Sequence, residues 1–128
     1  MKAFYILALI TLPGFLFAQQ VADTTYNPSI QNPQYKTGQG SVVFIDEGHH
    51  NFHTKEGRYK AFSNLLERDG YQVLRYSGLF NLKELSKGKI LVIANALNAL
   101  NVENWYVPNP SAFTPAEIEV VRQWVKSG

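Results

Sequence analysis

Val42-Val43-Phe44-Ile45-Asp46-Glu47-Gly48-His49-His50-Asn51-Phe52-His53-Thr54 is the stretch on which the reading of this chain turns. A short apolar, mostly β-branched run ends abruptly at two carboxylates. A glycine follows, and then all three histidines of the protein within five positions. A continuous apolar run of this kind suits a strand covered on both faces, as in a parallel sheet. Its opening into a loop dense in titratable groups marks the place where α/β proteins build ligand sites.

Working outward, Arg58 to Arg68 has helical spacing, with Tyr59, Phe62, Leu65 and Leu66 on one stripe. Asp69-Gly70 stops it, Gly70 being suited to a left-handed cap. Tyr71 to Tyr76 reads as a second strand and Leu79 to Leu85 as a short helical connection. Ile90 to Ala94 forms a third strand, followed by a long loop from Asn95 to Phe113. Thr114-Pro115-Ala116-Glu117 then carries an N-cap, a proline at the first helical position and a glutamate able to close a capping box. Ile118, Val121, Trp124 and Val125 form the expected apolar face of that last helix. This alternation of strands and helices predicts an α/β fold, a parallel sheet with helices on both faces. Three strands are few for such a sheet, and the expectation is an N-terminal part of a longer domain, truncated after the third strand and its following helix.

Before this region the chain reads differently. Lys2 precedes an apolar run from Ala3 to Phe17 and a small residue, Ala18, the pattern of a signal peptide spanning 1–18. Pro13-Gly14 breaks the run, which is short for a spanning helix. An uncleaved anchor is the alternative, because Leu16 is larger than ideal for the position it occupies. After cleavage no stable membrane span is expected. The segment 19–40 is rich in Gln, Asn, Thr, Pro and Gly and predicts an irregular leader. The domain proper is then 41–128. Export to a periplasmic or secreted location follows from the signal peptide. No cysteine is present, so no disulfide holds the exported domain. Cleavage takes Lys2 with it and lowers the formal charge from +2 to +1. A near-neutral chain without a Lys/Arg cluster lacks the footprint of a nucleic-acid partner.

In the doubly wound order 2-1-3, ligands bind outside the carboxyl ends of the strands, at the switch point between strands 1 and 3. That order sets Asp46, Glu47, His49, Asn51 and His53 across a crevice from Asn95. Glu47 and His49 are the candidate catalytic residues, with a carboxylate there able to act as a general base. Asp46, Asn51, His53, Asn95 and Trp105 are the candidate ligand-binding residues. Trp105 with Tyr106 is a candidate aromatic platform for a sugar. Asp46, His49 and His53 are a candidate set for a divalent metal, since catalytic zinc uses three such ligands. Asp46 has a second reading as a turn-former that accepts backbone N–H groups, and Thr54 as the N-cap of the following helix. No Gly-x-Ser-x-Gly elbow and no Gly-rich phosphate loop after a strand occurs.

Several strings occur together: Asp46-Glu47-Gly48-His49, Asn51-Phe52-His53-Thr54, Gly57-Arg58-Tyr59 with Phe62, Asp69-Gly70-Tyr71, Val92-Ile93-Ala94-Asn95-Ala96-Leu97, and Ala112-Phe113-Thr114-Pro115 with Glu117-Ile118 and Trp124-Val125. The set resembles the bacterial domain of unknown function family 4350, which is similar to the class I glutamine amidotransferase-like superfamily. The resemblance runs from about Val42 to Gly128. It implies a three-layer, flavodoxin-like sandwich and an envelope setting. It implies no reaction, and the Cys nucleophile of true amidotransferases is absent. The leading functional expectation is a non-catalytic ligand-binding or interaction module, taking a small-molecule, carbohydrate or peptide ligand. A metal-assisted hydrolase using the Asp-Glu-Gly-His loop and a non-functional fragment are the alternatives.

Overall fold

The computed structural model describes residues 21–128; the expected signal peptide at 1–18 lies outside the described residues. Three parallel strands run in the order β2-β1-β3. β1 (Val42–Asp46) is central, between β2 (Gln72–Tyr76) and β3 (Ile90–Val92). α1 (Lys60–Arg68) connects β1 to β2, and α2 (Leu82–Leu85) connects β2 to β3. A 3₁₀ turn at Ala99–Asn101 interrupts the loop that leads to α3 (Pro115–Ser127).

Strand alternation sorts β1 into two cores. Val43 and Ile45, both fully buried, meet Val73, Tyr59, Leu66, Tyr71 and Val92 on the α1 side. Phe44 meets Tyr76, Phe80 and Leu85 on the other side, where Phe113, Val120, Val121 and Trp124 pack against them. The α/β class expected from the alternation of elements is therefore observed, as is the parallel pairing.

The helices are rotated relative to their sequence stripes. In α1 the inward residue is Ser63, fully buried, while Phe62 and Leu65 are 40% and 43% exposed. The helix also starts later than the spacing suggests, at Lys60. Thr54 does not cap it; its carbonyl accepts from the backbone N–H of Gly57 and Tyr59, closing a turn first. In α3 the inward face is Glu117, Val120, Val121 and Trp124, leaving Ile118 and Val125 mostly exposed. The capping box at Thr114 and Glu117 is present with Pro115 at its start.

α1 closes with a Schellman motif. The Gly70 N–H donates to the Glu67 carbonyl and the Tyr71 N–H to the Leu66 carbonyl. Gly70 has φ +96°, and a Cβ there would lie 2.3 Å from the Tyr35 carbonyl oxygen. That contact belongs to the leader, which straps onto the domain here. Gln34 N–H donates to Asp69 Oδ1 at 2.7 Å, Gly40 N–H to the Gly70 carbonyl at 2.8 Å, and the Tyr35 and Tyr71 rings meet edge-on at 5.1 Å. Gly70→Ala is expected to cost about 1–2 kcal/mol through backbone strain. It should also loosen the strap, seen as faster proteolysis between residues 21 and 40 than in the parent chain.

Candidate functional site

The sheet order places the exits of β1 and β3 side by side, and their loops are bonded directly to each other. Asn95 Oδ1 accepts from the Phe52 N–H at 3.1 Å and lies 3.0 Å from His53 Nδ1. Leu97 N–H donates to the His49 carbonyl at 2.9 Å. The β1 exit also touches the β2 exit so closely that a Cβ on Gly48 would fall 2.3 Å from the Gly78 carbonyl oxygen.

Asp46 ends β1 on the face that carries Phe44, and so points toward α3. It is fully buried. Its Oδ1 accepts from the Gly48 N–H at 3.0 Å, and its Oδ2 from Asn51 Nδ2 at 2.7 Å. His49 Nδ1 lies 2.9 Å from both of its oxygens. The other nitrogen of the same ring, Nε2, lies 2.7 Å from Glu117 Oε1. His49 is 4% exposed and Glu117 3%. The rings of Phe80 and Phe113 pack on the imidazole at 4.6 and 4.8 Å. A carboxylate on each nitrogen is satisfied on both sides only by the imidazolium, which donates from both.

The electrostatics follow from that arrangement. Burial pushes His49 toward the neutral form. The hydrogen bonds from its ring to Asp46 and Glu117, and their charges, outweigh burial and hold its pKa above the ordinary 6.5. Burial likewise pushes Glu117 upward. Donation from the Thr114 N–H, His49, the Thr114 hydroxyl and the Phe80 N–H overrides this and brings it down to about 2. The Phe80 N–H and Thr114 Oγ1 stand 3.0 and 2.8 Å from the Glu117 oxygens.

The candidate residues thus divide. Asp46, His49 and Asn51 come together in a buried cluster whose groups bond mainly to one another, Asn51 Oδ1 being left without a hydrogen-bond partner. His49 has no free nitrogen to serve as a base or ligand. His53 is drawn to Asn95 on the far side of the loop instead. Among the described residues no group of three or more His, Cys, Asp or Glu side chains is placed to hold a metal. Glu47 is turned away from this cluster as well: its Oε1 accepts from the Lys55 N–H at 2.8 Å, and Arg75 approaches its Oε2 at 4.0 Å.

Trp105 stands apart from all of these. It is 71% exposed, with Tyr106 81% and Val107 89% exposed beside it. The loop that carries them is nevertheless ordered from beneath. Asn101 is 3% exposed, and its Nδ2 lies 3.0 Å from the Asn104 carbonyl and 3.2 Å from the Tyr106 carbonyl. Asn104 Oδ1 accepts from the Tyr106 N–H at 3.1 Å, and Asn98 Nδ2 ties the loop to the Ser111 carbonyl at 2.9 Å.

Sequence reasoning missed Glu117 as the partner of His49 and Asn101 as the organiser of the aromatic loop. The capping-box spacing identifies Glu117, but only as a cap. Its Oε2 performs that role while Oε1 reaches His49. A polar Asn in a run of Asn residues carries no signal that distinguishes it from its neighbours. No protein-family model matches the chain, and comparison with curated proteins and with solved structures likewise finds no match.

Proposed function

We propose that this chain is an exported, non-catalytic interaction module, built on a flavodoxin-like scaffold of the class I glutamine amidotransferase-like type. Its recognition element is the loop bearing Trp105 and Tyr106, and its ligand a carbohydrate or peptide laid against those rings. The observation that carries this reading is a pair of large aromatic side chains held in solvent by a buried Asn101. Exposed apolar groups on an internally bonded loop lose little conformational entropy on binding. Aromatic anchors of this kind dominate recognition surfaces. A catalytic reading draws less support, because the imidazole at the strand exit is enclosed between two carboxylates.

Trp105 supplies its own reporter. In a Trp124→Phe background it is the sole indole, and its fluorescence is expected to shift to the blue when a ligand covers it. Titration with bacterial cell-wall oligosaccharides and muropeptides should show saturable shifts. Trp105→Ala, followed by calorimetry with the same probe, should weaken binding at least about tenfold, or about 1.4 kcal/mol. Its urea midpoint should stay within error of the parent, since the side chain is mostly in water. Unchanged affinity in Trp105→Ala would remove the loop from the proposal.

A further inference from the structure

β3 leaves one side of the sheet open. It pairs with β1, and among the described residues no other strand or loop bonds to its backbone. An edge of this kind is a template for a further strand, which proteins commonly blunt with proline or an inward-pointing charge. Ile90-Leu91-Val92-Ile93-Ala94 contains neither. Alternation sends Ile90 and Val92 to the α1 face of the sheet and Leu91 and Ile93 to the α3 face. Ile90 and Ile93 both remain partly exposed. On the α3 face an apolar pocket of about 220 Å³ lies between Ile93 and the Ile118 and Val121 side chains of α3. Ile118 and Val125, two turns apart on α3, are mostly in water. Parallel sheets ordinarily have such apolar edges covered on both faces.

Charge along this edge is segregated. Lys87 and Lys89 stand at the start of β3, and Lys126 joins them from the end of α3. Lys89 Nζ donates to the Gly128 carbonyl at 2.7 Å, which holds the α3 C-terminus at that end. Glu103 stands on the loop beyond the β3 exit, at the other end. Lys87 pairs with Glu84 and Arg122 with Glu119. Lys89, Lys126 and Glu103 are exposed and have no ion-pair partner among the described residues. An edge that is basic at one end and acidic at the other complements itself when reversed. The surface that fits it is therefore the same edge, running the opposite way.

We propose that β3 pairs antiparallel with β3 of a second copy of this chain, giving a two-fold symmetric dimer whose sheet is continuous across both copies. The symmetry makes the contact self-complementary. It sets α3 beside α3 of the second copy in the opposite direction, so that Ile118 meets Val125 of the second copy and the reverse. It also brings Lys126 to Glu103 of the second copy, twice over. Aliphatic burial and strand pairing supply the affinity, and the charges fix direction and register. Assembly of this kind is independent of ligand recognition by the Trp105 ring.

Sedimentation of the purified chain over a concentration series tests this. A monomer–dimer equilibrium is expected, weakened by high salt because the paired charges lie at an exposed rim. Ile118→Glu should raise the dissociation constant at least about tenfold, by placing a charge in the apolar seam. Glu103→Lys and Lys126→Glu should each weaken self-association, since each sets like charges together. An equimolar mixture of these two variants is expected to form a heterodimer, because every contact in it is again opposite in sign. Both positions are exposed, so each variant should keep the urea midpoint of the monomeric parent, and this pair decides the matter should Ile118→Glu fail to fold. The proposal is overturned if the parent stays monomeric throughout or forms open-ended oligomers. It is equally overturned if a folded Ile118→Glu associates as the parent does, or if mixing the two charge variants yields no heterodimer.

Discussion

His49→Ala is expected to destabilise the fold by about 3–5 kcal/mol, the range measured when one member of a buried ion pair is removed. The substitution leaves Asp46 and Glu117 facing each other, both buried, with no cation between them. It also strips two aromatic neighbours of their packing partner. A domain of this size holds only about 5–15 kcal/mol in total, so the loss should be visible as a large drop in urea midpoint. Glu117→Gln keeps the shape and one acceptor oxygen, and should cost less, about 1–3 kcal/mol. The double variant is expected to lose clearly less than the sum of the two, because each single change already breaks the same contact. A His49→Ala midpoint within error of the parent would show that the cluster contributes nothing to stability.

Stability should be greatest at mildly acidic pH. The folded-state pKa of Glu117 is depressed to about 2 from 4.5. Its contribution is therefore present above pH 4.5 and is lost as pH falls toward 2, amounting to on the order of 3 kcal/mol. The folded-state pKa of His49 is raised above 6.5. Its contribution is complete below pH 6.5 and is lost as pH rises through the folded value. The two together predict a maximum between pH 4.5 and 6.5 and a decline on each side. Urea midpoints across this range measure it. Glu117→Gln should flatten the acid limb and, because Glu117 is one of the two carboxylates that raise His49, should shrink the alkaline decline as well; a parent curve that keeps rising from pH 6.5 to 8 would contradict the assignment of His49.

Much of the framework was readable from local pattern. The strand–helix alternation, the apolar run of β1, the Gly70 stop and the capping box at Thr114 are written within windows of a few residues, where spacing and backbone preference act directly. The neighbourhood of the β1 and β3 exits followed from the common winding order, and Asn95 with Phe52 and His53 now gives it its contacts.

The orientation of the helices was readable in part: Tyr59 and Leu66, and Val121 and Trp124, pack inward as the spacing favoured, while Phe62, Leu65, Ile118 and Val125 do not. Apolar spacing in α3 favoured Ile118, Val121, Trp124 and Val125. The observed inward face, with Glu117 and Val120, is turned because a buried imidazolium accepts a carboxylate more readily than an aliphatic group. α1 likewise turns Ser63 inward, where it is fully buried and its hydroxyl lies 3.5 Å from the Lys55 carbonyl. In both cases the hydrophobic periodicity is a weaker constraint than the particular neighbour.

By itself the sequence determined the element order, the parallel class and the titratable character of the β1 exit, because these depend on neighbours along the chain. The tertiary structure alone decided what those titratable groups do. His49 and Glu117 are separated by 68 positions, and no local rule anticipates that they meet. Once they do, desolvation requires that buried charges pair with one another. The apparent active-site histidine becomes a strut between β1 and α3.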